Sequence, residues 1–200
     1  MGVHNGEVAV IISHTYKFAI VCPPKTGSTT LHEWLIAPPF CDHHWPPPGE
    51  RQGQHEQDEI PDGYTVAVSW RHPFDREVSL WAHSQYPAAR GMVTSEMTFV
   101  EFVEQQPDLS TFYSRPQISW VDDLPRLDYV IRLDHIEEDV RAFPPIAESL
   151  ACGHVLRPVP MAYKRVLNPT VHDPWPTYYD PKLIRTVSDR FQSDFAIGVR

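Results

Sequence analysis

Cysteine is scarce in this chain: Cys22, Cys41 and Cys152 are the only three in 200 residues, an odd number with no C-x-x-C spacing. That excludes a disulfide framework and fits a reducing compartment. Long apolar runs are missing too, so nothing in the sequence reads as a membrane span. The opening residues, MGVHNGEVAVIISHTYKF, lack the basic start, apolar stretch and small-residue cleavage site of a secretory signal. The expectation is a soluble, cytoplasmic protein with no membrane insertion. Positive charge is also in short supply, with 17 Lys and Arg against 26 Asp and Glu and a formal net charge of −9. Coating nucleic acid or an anionic membrane requires the opposite balance, so nucleic acid is not expected as a partner. Any anionic ligand must be held by a few well-placed cations.

What is present points to one packed domain spanning residues 1–200. The hydrophobic fraction is 42%, and aromatics make up 12% with six tryptophans, far from the composition of a disordered chain. Proline is abundant at 21 residues, which caps element lengths and excludes a coiled coil or long-helix bundle. Val8 to Ser13 and Tyr16 to Cys22 read as short strands, close enough to form a hairpin, and the second is apolar almost throughout. Tyr64 to Trp70 and Asp128 to Leu133 read as further strands. Helices are expected after Gly27, from Pro73 with Phe74, Val78 and Trp81 on one face, over Met97 to Gln106, as a pair within His135 to Ala151 split by Pro144 and Pro145, and from Asp180 to Phe195. Strands alternating with helices predict an α/β fold of three layers around a mainly parallel sheet. Pro38 to Pro61 is a long polar stretch broken by prolines, of the kind that serves function in compact domains.

The segment between the second strand and the first helix carries chemistry. Pro23-Pro24-Lys25-Thr26-Gly27-Ser28-Thr29-Thr30 places a glycine, a lysine and several hydroxyls where backbone N–H groups and a helix N-terminus can converge on an anion. It departs from the nucleotide P-loop G-x-x-x-x-G-K-[ST]: here the lysine precedes Gly27, a serine follows it, and Cys22 stands where the first glycine belongs. The order P-K-T-G-S-T-T instead resembles the 5′-phosphosulfate loop of the sulfotransferases, which use 3′-phosphoadenosine 5′-phosphosulfate (PAPS) as sulfuryl donor. A second anion motif follows. Arg71 leaves a strand end, and Ser79 lies eight residues on in the next helix, with Pro73 and Arg76 between. This resembles the family's 3′-phosphate motif, although His72 stands where Asn or Asp is usual and Ser28 where glycine or threonine is frequent. ISHTYKFAIVCPPKTGSTTL, TFVEFVEQ, PQISWVDDLPRLDYVIRLDHIEEDV and YYDPKLIRTVSDRFQSDFAIG extend the likeness to small bacterial and Golgi carbohydrate-type sulfotransferases over nearly the whole chain.

The resemblance implies roles. Lys25 would stabilise the leaving oxygen, Thr26, Gly27, Ser28, Thr29 and Thr30 would hold the 5′-phosphate, and Arg71 and Ser79 would hold the 3′-phosphate. Lys164 and Arg165, before Asn168, fall where the family's last cofactor-contacting loop lies; the alternative for them is an ordinary solvated pair. A base should lie between the first helix and the next strand, where His43, His44 and His55 are available; His55, in G-x-H ahead of acidic residues and Ile60, matches the family's position best. The implied substrates are PAPS, leaving PAP, and a hydroxyl of a carbohydrate or small metabolite. No metal is expected, since the spacing of Cys41, His43, His44 and His55 fits no common zinc pattern. Two other readings stay open: a P-loop kinase or NTPase with Asp134 as magnesium ligand, and an inactive nucleotide-binding module with this fold. Oligomeric state cannot be read from these residues.

Overall fold

A computed structural model describes residues 9–35, 40, 60–85, 97–105, 115–122, 124, 126–159 and 172–197. The sequence from Ala9 to Cys22 folds back on itself as β1 (Ala9–Ser13) and β2 (Phe18–Cys22), paired antiparallel from Ala9 opposite Cys22 to Ser13 opposite Phe18. Tyr16 and Lys17 belong to the turn rather than to the strand, and Lys17 sits there at φ 52°. β3 (Thr65–Trp70) runs parallel to β2, and β4 (Tyr129–Arg132) parallel to β3. The sheet is open, in the order β1-β2-β3-β4, and mostly parallel as expected.

Alternation along the strands assigns the two faces. Ile11, Phe18, Ile20, Cys22, Ala67 and Ile131 point to one face, where α1 (Ser28–Leu35), α4 (Ile136–Ala142) and α5 (Pro144–Ala151) cover them. Val10, Ala19, Val21, Val66, Val68 and Trp70 point to the other, packed against Trp120 and Val121 and against Ile197 of α7 (Gln192–Ile197). With both faces of β2 covered, every residue of that strand is buried, which accounts for its unbroken apolar run. This arrangement is compatible with three layers. A separate apolar cluster joins α2 (Pro73–Ser84), α3 (Phe99–Gln105) and α6 (Pro181–Arg190) through Phe74, Val78, Phe102, Leu183, Val187 and Phe191.

The local starts follow the sequence. Pro73 occupies the first turn of α2, Pro144 and Pro145 open α5, and Asp180 caps α6 by accepting from Lys182 N and Leu183 N at 2.8 Å. One expectation is corrected. The helix predicted over Asp180 to Phe195 is two helices, α6 and α7, separated at Phe191, whose φ −114° and ψ 30° leave helical geometry. Phe191 is needed in the α2–α3 cluster and Ile197 on the sheet, so the chain turns between two cores. Among the described residues, no helix is long and apolar enough to cross a membrane.

Candidate functional site

The parallel strands β2 and β3 end side by side, and the residues that follow them, Pro23–Gly27 and Arg71–His72, form one surface at the carboxyl edge of the sheet. In open α/β sheets that edge is where ligands bind. The loop after β2 is tightly wound. Lys25 takes φ 69° and Gly27 φ 93°. For lysine the left-handed region carries a cost of roughly 1 kcal/mol, whereas glycine enters it freely. A Cβ on Gly27 would also stand 2.5 Å from Leu133 Cδ1, so the turn after β4 lies close on this loop and a side chain here would have to displace that methyl as well as adopt the left-handed backbone. That turn is held in place by Asp139, which accepts from the Arg132 backbone at 2.8 Å and from the Arg132 guanidinium at 2.9 and 2.7 Å.

Thr26 is fully buried, and its polar groups are spent on the loop itself. Its hydroxyl donates to the Pro23 carbonyl at 2.7 Å and shares a short hydrogen bond with Ser69 of β3, while its N–H reaches Pro23 O at 3.3 Å. The first bond of α1 is Leu31 N–H to Gly27 O at 3.0 Å. The amides of Gly27, Ser28, Thr29 and Thr30 come before it, without a carbonyl one turn back to receive them. Ser28, Thr29 and Thr30 are half-buried on this first turn. So of the six residues predicted for the 5′-phosphate loop, Thr26 acts as scaffold, and Lys25 with Gly27 to Thr30 presents donors.

Arg71 completes the surface. Its Nε donates to Asp75, its Nη1 donates to the backbone carbonyl of Lys25 at 3.3 Å, and its Nη2 has no protein partner among the described residues. The side chain keeps 16% of its surface exposed. Burial, and then the Arg71 charge, push Lys25 down to about 8. Arg76 is buried and donates from Nε to the Pro24 carbonyl at 3.1 Å; it braces the loop from below. Ser79 lies two turns into α2 and is 1% exposed. Cys22, just before the loop, is buried, and desolvation pushes its thiol up to about 12, which favours the thiol over the thiolate.

Two polar groups here were not singled out from the sequence. His83 follows Ser79 by four residues, which puts both on one face of α2, and burial followed by the Lys25 charge lowers its pKa. The spacing from Ser79 was the available signal. Gln117, fully buried, accepts from Arg71 N at 2.8 Å and donates to Arg71 O at 2.9 Å. Nothing local marks it. His43, His44, His55, Lys164 and Arg165 lie outside the described residues. Asp134 is exposed on the turn after β4, and its charge acts on His72. Among the described residues no cluster of His, Cys, Asp and Glu could hold a metal ion.

A cavity of about 370 Å³ opens at the opposite end of the sheet, lined by Tyr16, Lys17, Thr65, Glu148, Cys152, His154 and their neighbours. It contains none of the loop or Arg71 residues, and its mixed charge gives an anion no net attraction. The two cations Lys25 and Arg71 stand at the carboxyl edge instead. Comparison with protein-family models, curated proteins and solved structures finds no match.

Proposed function

We propose that the chain is a PAPS-dependent sulfotransferase, resembling the small carbohydrate type, that moves a sulfuryl group to an acceptor hydroxyl. On this reading β2, the Lys25 loop and α1 are a P-loop-like phosphate-binding unit in a three-layer fold. The observation that carries the reading is the meeting of Lys25 and Arg71, two cations from adjacent parallel strand ends joined at 3.3 Å through the Lys25 carbonyl, in front of an α1 N-terminus with amides to offer. One nucleotide with phosphates at its 5′ and 3′ positions suits two such cations.

In the transfer, the acceptor oxygen attacks sulfur, the bond from sulfur to the 5′-phosphate oxygen breaks, and the acceptor proton passes to a base. Lys25 stabilises the charge left on the departing oxygen; with a pKa near 8 it is protonated at neutrality and can release its proton readily. Amides and hydroxyls of Gly27 to Thr30 hold the 5′-phosphate, Arg71 and Ser79 the 3′-phosphate, and Lys164 and Arg165 supply further cofactor contacts. His55 is the proposed base, and no metal takes part. With these cations committed to the donor and an overall charge of −9, a neutral carbohydrate or small metabolite suits the acceptor better than a sulfated polysaccharide.

The test is thermal. PAP is expected to raise the melting temperature without magnesium, and Lys25→Ala and Arg71→Ala each to remove most of that shift. Sulfuryl transfer from PAPS across sugars, lipids and phenols then identifies the acceptor. ATP binding that depends on Mg²⁺ and is lost in Asp134→Asn would overturn the reading in favour of a kinase or NTPase; PAP binding without transfer would leave a nucleotide-binding module.

A further inference from the structure

Arg71 stands at a point where the sheet no longer holds the backbone. Pairing of β3 with β2 ends at Val68, and pairing with β4 ends at Trp70 opposite Arg132. A guanidinium carried on a loose residue would lose much of its grip on an anion to conformational entropy. Gln117 replaces the missing strand. Its side-chain amide lies along the Arg71 peptide, accepting the N–H at 2.8 Å and donating to the C=O at 2.9 Å, as a neighbouring strand residue would.

The amide is itself fixed. Asp194 of α7 accepts the Gln117 backbone N–H at 2.8 Å and the Ile118 N–H at 2.9 Å, and its Oδ2 lies 3.4 Å from Gln117 Nε2. Its own backbone carbonyl receives the Trp70 indole N–H at 2.9 Å, so the same residue also holds the neighbour of Arg71. Gln117 and Asp194 are both 0% exposed. Both amide atoms of Gln117 are engaged, and a flip of the amide would set donor against donor at Arg71 N. The guanidinium is then oriented by Asp75 at Nε and Lys25 O at Nη1, which leaves the Nη2 edge for a ligand.

We propose that Gln117, locked by Asp194, is the positioning residue that gives this site its preference for a nucleotide bearing a 3′-phosphate over one lacking it. The inference rests on the PAPS reading above, in which Arg71 takes that phosphate. It concerns no atom that touches the ligand; Gln117 acts through Arg71 alone.

The experiment measures calorimetric affinities for PAP and for 5′-AMP, the same nucleotide without the 3′-phosphate, in wild type, Gln117→Leu, Arg71→Ala and the double variant. Wild type is expected to favour PAP. Gln117→Leu should weaken PAP about tenfold and AMP less than about threefold, and adding it to Arg71→Ala should change the PAP to AMP ratio no further, because the two act as one unit. General loosening of the fold would instead weaken both nucleotides together and add to Arg71→Ala; that result overturns the proposal, as does an unchanged ratio in Gln117→Leu. If Gln117→Leu fails to fold by circular dichroism, Asp194→Asn replaces it, with the same selective loss expected and an unchanged ratio again overturning the role. Wild type that binds AMP and PAP equally contradicts the positioning role while leaving a nucleotide site; wild type that binds neither contradicts the PAPS reading itself.

Discussion

Arg71 donates a hydrogen bond to the backbone carbonyl of Lys25, and so the second cation of the site holds the first in its left-handed conformation. The two charges are brought together by a peptide group rather than by an acid between them. Asp75 neutralises one side of Arg71 only. The pair remains a net positive surface in an acidic protein, with each member dependent on the other's geometry.

The strain at Lys25 separates stability from binding. Lys25→Gly relieves the φ 69° backbone and Lys25→Ala does not. Both remove the half-buried ammonium. The glycine variant is expected to be more stable than the alanine variant by about 1 kcal/mol in urea unfolding, and both should lose PAP binding alike. Equal stability of the two would show that the loop relaxes without the lysine.

Anion affinity should depend on pH through Lys25. Its pKa in the folded protein is lowered to about 8 from 10.5. It is charged at about pH 7, where both phosphates of PAP are ionised, and loses its charge as pH rises through 8. PAP affinity is therefore expected to fall between about pH 7 and pH 9, and Lys25→Ala to flatten the profile. A bound phosphate favours the charged form, so the midpoint in the complex lies above that of the free protein. For the free protein the sign is reversed: the unfolded chain holds the Lys25 proton more tightly, so this residue's contribution to stability rises with pH from 8 to 10.5.

Glu77 sits next to Arg76 in α2, 0% exposed, with neither carboxylate oxygen hydrogen-bonded among the described residues. Burial raises its pKa to about 7 against the pull of Arg76 and Arg190. Between the unfolded value of 4.5 and 7 the folded state holds the proton more tightly, so stability contributed here is full below 4.5 and is lost as pH rises through 7. Glu77→Gln should change little at about pH 5 and gain about 2 kcal/mol relative to wild type at about pH 8. Denaturant unfolding at both pH values checks this, and a gain that is the same at each would contradict it.

The base can be assigned by rates. If His55 takes the acceptor proton, His55→Ala should lower kcat for transfer by about a hundredfold or more and leave PAP affinity intact. Burial, and then the Lys25 charge, lower the His83 pKa and leave its ring uncharged where Lys25 titrates, so His83→Ala should leave kcat and the midpoint of the Lys25-dependent pH profile near wild type. A collapse of kcat in His83→Ala, with His55→Ala near wild type, would transfer the role to His83.

The sheet was legible because its strands are short apolar runs, β2 stopped by Pro23 and β3 by Arg71, and the two cations drew notice because Arg71 directly follows β3 and Lys25 comes just after the two prolines that end β2. The helix pair in the C-terminal region was not, since periodicity shows that Val187, Phe191 and Ile197 are buried but not that they serve different cores. Gln117 and Asp194 were invisible for a related reason. A buried polar residue looks like any surface one until its partner is known, and 77 residues separate these two. Thr26, one of several loop hydroxyls in the sequence, is set apart only by Ser69 on the next strand.

Asp194 also fixes an order of events. During synthesis, the Lys25 loop and Arg71 leave the ribosome well before the helix that carries Asp194. Until that helix docks, Gln117 has no anchor and Trp70 has no carbonyl for its indole. The hold on Trp70 and Arg71 thus waits for a residue made 124 positions after Trp70, and on the PAPS reading a nascent chain that stops short of Asp194 would lack the selectivity proposed for Gln117.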